Sequence, residues 1–251
     1  MTKIVLSRLA MLGLLLFAAG CGDSVEQKPI SKSSDGEPAR KLNSPVDPLV
    51  QLAKAFQHHE QAYVQHRMDL AKVAADPAFR DQAPAIEALL KDAEAIKKAH
   101  EGQVRRTISE KRKEDTDRHF LIYFAPVGAL YQVSELIRRL PSSSKKGLVD
   151  VIEGFRLTHQ RNVSRWQPVL AAYARAGVDV QSRYEADPQG LEDSFNASLK
   201  LAESVPAWMA ADDFVSAYVI QRHATLLMDV VWLSLAEYED QIYKRSRPAY
   251  P

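Results

Sequence analysis

Beyond residue 46 the chain repeats apolar residues every three or four positions, and the strict alternation of a half-buried strand is absent. That spacing draws one apolar stripe along a helix. It predicts six helical segments, at about 47–75, 84–113, 116–140, 145–176, 190–205 and 208–245. The first keeps its stripe for more than three heptads, through Leu49, Leu52, Phe56, His59, Tyr63, His66, Leu70 and Val73. The second runs Ile86, Leu89, Ala93, Ile96, His100, Val104, Thr107, and the fourth Ile152, Phe155, His159, Val163, Trp166, Leu170, Tyr173. The third is uncharged from 120 to 133, which is too short a run to span a bilayer and reads as a buried helix. The last, "ATLLMDVVWLSLA", is apolar almost all round and predicts a second central helix.

The breakers fall between the stripes. "ADPAFRDQAP", "EDTD", "LPSSSKKG", "AGVDVQSRYEADPQG" and "SVPAW" read as joints. Asp47 followed by Pro48 is a helix start, a capping carboxylate before a proline at the first helical position. Gly177 reads as the glycine that stops the fourth segment. Pro126 and Pro168 lie inside segments and should kink them, because neither can donate to the carbonyl four residues back. The expectation is an all-α bundle of about six helices in a single domain, 46–245, with a short tail at 246–251. The basic end "YKRSRPAYP" could touch anionic headgroups, but a frayed tail is the simpler reading.

The first 45 residues follow another pattern. Lys3 and Arg8 precede a wholly apolar or small run, 9–20, that ends at Cys21, the one cysteine in 251 residues. The run is shorter than the ~20 apolar residues a spanning helix needs. A basic start, a short apolar stretch and small residues before a cut make a secretory signal. "AAGC" resembles the bacterial lipobox, with Ala18 where Leu is usual. The resemblance implies cleavage before Cys21, lipidation of that residue and anchoring in a membrane. Gly22, where an Asp would favour inner-membrane retention, implies the outer membrane and a domain facing the periplasm. Residues 22–45 are polar, rich in Ser, Pro and charge, and read as a flexible tether spanning ~25–30 Å on average. A lipidated Cys21 would leave the mature chain no thiol for disulfide or thiolate chemistry.

Composition narrows function further. The 33 basic and 32 acidic residues lose only Lys3 and Arg8 with the signal, so the mature chain is near neutral and nucleic acid is not an expected partner. No G-x-S-x-G elbow, P-loop, dinucleotide fingerprint, HExxH or c-type haem site is present. The histidines raise one sharper possibility. If the first two segments form an antiparallel hairpin, His59 and His100 lie at the same level, with His66 two turns along. Neutral imidazoles there could hold a metal, although histidines on apolar stripes are more often bonded within a core. Arg161 and Arg165 could together grip an anion or a partner, against the simpler reading of a solvated face. Arg222, Thr225 and Asp229 share a face of the last segment and read as a narrow polar stripe, the alternative being a buried pair from Asp229 to an Arg or His of another helix. The sequence thus points to a lipid-anchored, non-enzymatic helical domain that binds a protein partner or supports envelope organisation. Its covalent lipid is the only expected prosthetic group. The alternative is a His-lined metal or cofactor protein.

Overall fold

Pro48 opens a chain that stays helical almost to its end. A computed structural model describes residues 48–109, 116–184 and 186–246. Seven α-helices run through them: α1 Pro48–Ala75, α2 Ala83–Ser109, α3 Thr116–Arg139, α4 Lys145–Ala174, α5 Val178–Tyr184, α6 Pro188–Ala210 and α7 Phe214–Ser246. There is no strand among the described residues, so the fold is all-α. Cys21, the segment 22–45, the cap expected at Asp47, the end of the second segment at 110–113 and the tail at 247–251 lie outside the described residues.

The axis of the bundle is α7. Every residue from 216 to 228 is buried, as a helix apolar nearly all round requires. Helix α2 runs parallel to it, tied by Gln82 Nε2 to Asp213 Oδ2 at 3.1 Å and by His223 Nε2 to Asp92 Oδ2 at 2.8 Å. Helix α1 lies antiparallel on α2 through Glu60–Lys97 and Arg67–Glu94. Helix α3 packs on all three. By length and composition the stretch His119–Ser142 could cross a membrane. In the bundle its Ile122, Val127, Leu130 and Val133 are buried among helices.

On the opposite side of α7 lie α4 and α6. Leu226, Val219 and Ala217 join the core made with α1, α2 and α3. Met228, Val231 and Leu235 of the same helix join a second core with Trp166, Leu170, Tyr184, Leu191 and Phe195. The seam residues Tyr63, Leu70, Ile86, Leu89, Ile152, Trp166 and Tyr173 are all buried, as their spacing required.

Two joints differ from expectation. "SVPAW" is not a joint: α6 runs straight through Pro206 to Ala210. The real turn is Ala211–Asp213. There Asp212 takes φ 61°, its N–H bonds Met209 O at 3.1 Å, and Asp213 N–H bonds Trp208 O at 3.0 Å. Those two bonds form a Schellman stop, with aspartate where glycine is usual. Asp213 then caps α7, its carboxylate accepting from Ser216 N–H and Oγ–H. Gly177 is not the stop of α4, since its φ is not positive. Its carbonyl instead accepts from Val180 and Gln181 N–H and starts α5. The Gln181 amide reaches back to Ala176 O at 2.8 Å and Tyr173 O at 3.3 Å, satisfying the end of α4. Pro126 and Pro168 lie within α3 and α4, which continue past them.

Candidate functional site

The residues proposed for chemistry end up in separate places. His59 lies against the ring of Phe124, centroids 4.6 Å apart, and burial with the nearby His58 and Lys97 charges lowers its pKa. His66 lies by Tyr131 at 5.3 Å, and burial lowers its pKa too. His100 Nδ1 stands 3.4 Å from Nδ1 of His119 on α3. The antiparallel pairing of Glu60 with Lys97 and of Arg67 with Glu94 places His59 and His100 near one level, just beyond the first pair. What the spacing could not give was His119, which a third helix supplies. No group of three or more His, Cys, Asp or Glu able to hold a metal occurs among the described residues.

The space beside His59 and His100 is occupied by the ammonium of Lys97, which is 7% exposed. It bonds Glu60 at 2.5 Å and stands 3.5 Å from the Tyr123 ring centre and 4.5 Å from that of Tyr63. Desolvation lowers its pKa against the opposing pull of Glu60. An aromatic cage with one carboxylate is a cation site, and the chain fills it with its own lysine.

The guanidinium of Arg165 is engaged by Glu239, at 3.0 and 2.7 Å. That bidentate pair ties α4 to α7. Arg161 is exposed one turn away. The two share a shallow depression of about 500 Å³ with Leu157, Gln160 and Ser164, all from α4, so it has a single wall.

His159 forms the arrangement closest to a nucleophile and its base. Its Nε2 lies 2.7 Å from Ser198 Oγ, which donates to Ala224 O at 2.7 Å. A hydroxyl has one proton, and Ser198 gives it to the carbonyl. His159 therefore carries its proton on Nε2 and donates to the serine. A base must accept at that atom, so this pair fastens α4 to α6 and α7. Burial lowers the pKa of His159, which keeps the ring neutral.

Beside that pair runs a groove of about 310 Å³ between α4, α6 and α7. His159 and Val163 form one wall, Leu199 and Pro206 another, and Gln221 the floor. Gln221 has no exposed surface, and neither its Nε2 nor its Oε1 has a hydrogen-bond partner. The next residue, Arg222, is 6% exposed. Its guanidinium lies 4.5 Å from the Phe155 ring centre and its Nε is also unpartnered. Desolvation lowers the pKa of Arg222 and raises that of Asp229. The carboxylate of Asp229 accepts from Trp232 Nε1 at 2.9 Å, on its own helix. The expected polar stripe thus exists but faces the interior, and among the described residues no Arg or His of another helix pairs with Asp229.

Sequence reasoning missed Gln221 and His223, and reads Arg222 only as part of a narrow polar stripe. A signal was present. Three adjacent residues cover about 200° of a helix, so on a helix buried all round, some of them must face inward. No protein-family model matches the chain, and no curated protein or solved structure matches it.

Proposed function

We propose that this protein is a lipid-anchored binding module of the cell envelope, attached through Cys21, whose helical domain holds a protein partner or supports envelope organisation without catalysing a reaction. The order of the chain carries the reading: basic start, apolar run, Cys21, polar 22–45, then a self-contained helical unit from Pro48. The chemistry of the His159–Ser198 pair agrees with a binding role, because it serves packing. Outer-membrane anchoring with the domain facing the periplasm is part of the same proposal. Crosslinking in intact cells followed by affinity purification of the full chain tests it. One envelope protein should recur across replicates and crosslinkers. No recurring partner, together with an unchanged envelope in a deletion strain, would remove the support.

A second reading, metal binding, rests on one distance. Two nitrogens bound to a tetrahedral zinc at about 2.0–2.1 Å lie about 3.4 Å apart, which is the separation of the His100 and His119 Nδ1 atoms. Metal analysis of the purified chain decides it. Stoichiometric zinc that disappears in His100→Ala would favour this reading. No bound metal, and no zinc-dependent rise in Tm, would reject it.

A further inference from the structure

We propose that the groove between α4, α6 and α7 binds a neutral primary amide, the CONH2 group of a free small molecule or of a glutamine side chain, through Gln221 and the carbonyl of Ala202. This goes beyond the anchored-module reading and does not depend on it. Gln221 lines the groove and is wholly buried. Its Nε2 and its Oε1 both lack a hydrogen-bond partner. A buried amide left unpaired is costly, and a ligand that pairs it recovers that cost. Two other polar groups of the lining are already engaged. His159 Nε2 bonds Ser198, and Ser164 Oγ donates to Gln160 O.

The backbone supplies a second group. Proline has no N–H, so Pro206 inside α6 leaves the carbonyl of Ala202 without its helical donor. Ala202 and Pro206 both line the groove. Helices α6 and α7 run antiparallel across the turn at 211–213, and Ser198 Oγ bonds Ala224 O between them. Ala202 is one turn along α6 from that tie, and Gln221 nearly one turn back along α7. The register therefore sets the two at one level of the groove.

A primary amide matches this set. Its carbonyl accepts from Gln221 Nε2, one N–H donates to Gln221 Oε1, and the second N–H donates to Ala202 O. A carboxylate offers no donor to Oε1, and an ammonium offers no acceptor to Nε2. Charge selects in the same direction. Arg156 is held by Glu153 of its own helix, which leaves Glu203 at the rim to repel anions. Val163, Leu199 and Pro206 give apolar contact to the rest of the ligand. A volume of about 310 Å³ lies at the small end of ligand pockets. Gln221 has no surface open to water, so entry requires the rim to part. Gln160 and Glu203 of that rim are exposed, and exposed side chains change rotamer in picoseconds to nanoseconds.

The test is thermal unfolding of the full chain in detergent micelles with two probes, benzamide and N-acetylglutamine methylamide. A bound probe should raise Tm by ~3–6 °C at ten times its Kd. Benzamide acting alone identifies a free small amide, and the glutamine derivative alone a side chain carried on a peptide. N,N-dimethylbenzamide keeps the carbonyl and loses both donors, and benzoate keeps the shape and adds charge. Neither should act. The rise should vanish in Gln221→Met, which keeps the length of the side chain and removes its amide. It should shrink in Pro206→Ala, which returns an N–H to the Ala202 carbonyl. No rise with either probe up to 50 mM would overturn the proposal. So would an equal rise with N,N-dimethylbenzamide or benzoate, or an undiminished rise in Gln221→Met or Pro206→Ala.

Discussion

At Asp212 the chain accepts a backbone conformation that aspartate tolerates and glycine adopts freely, φ 61°. Asp212→Gly should therefore stabilise the fold by roughly 0.5–1 kcal/mol, read from the denaturant midpoint. The loss of the Lys145–Asp212 pair will subtract little, because both side chains are about two-thirds exposed. Ser198→Ala should act in the opposite direction. It strands the His159 Nε2 proton in a dry interior, at ~1–3 kcal/mol. The buried histidines set the acid limit. Burial lowers the pKa of His59, His66 and His159 below 6.5, while the unfolded chain keeps the ordinary value. The unfolded state then binds more protons, so stability is full above 6.5 and declines as pH falls below it. Tm measured from pH 7.5 to 5.5 should drop, and His159→Gln should flatten part of that slope.

The helices themselves were largely legible, because burial and period agree in them. Tyr63, Leu70, Ile86, Leu89, Ile152 and Trp166 were placed inward by spacing alone, and all are buried. The misread joint has a clear cause. Pro206 reads as a break because prolines rarely continue a helix, while the true turn has an aspartate, Asp212, where glycine is usual. Helix α5 was missed because seven residues carry too little period to declare a helix. One hydroxyl helps to hold it: Tyr173 donates to Ala186 O at 2.8 Å, just past its end, and the Tyr173 ring meets Tyr238 edge-on at 5.1 Å. Tyr173→Phe should cost about 1 kcal/mol, and hydrogen exchange should accelerate over 178–187 more than elsewhere. The candidate site was less legible than the helices. A Gln-Arg-His run reads as surface in any one-dimensional pattern, and only the packing of four helices around α7 turns it inward. His119 escaped for a related reason: a hairpin argument places two helices and says nothing of a third.

Across the molecule α7 serves two cores at once, one mainly with α1–α3, joined by Ile152 of α4 and Val205 of α6, and one with α4–α6. Ties such as Asp92–His223 and Arg165–Glu239 fix both halves to it. A domain built this way can be moved as one body by whatever holds its N-terminus. The central claim is that a lipid on Cys21 does the holding. Several acyl chains, each CH₂ contributing ~0.8 kcal/mol, make such an anchor effectively permanent. Metabolic labelling with radioactive palmitate, comparing the native chain with Cys21→Ser, tests this most directly. The account predicts a labelled, membrane-bound native protein and an unlabelled variant that is released or left unprocessed. Label that persists undiminished in Cys21→Ser, or a native chain that never takes it up, would contradict the account.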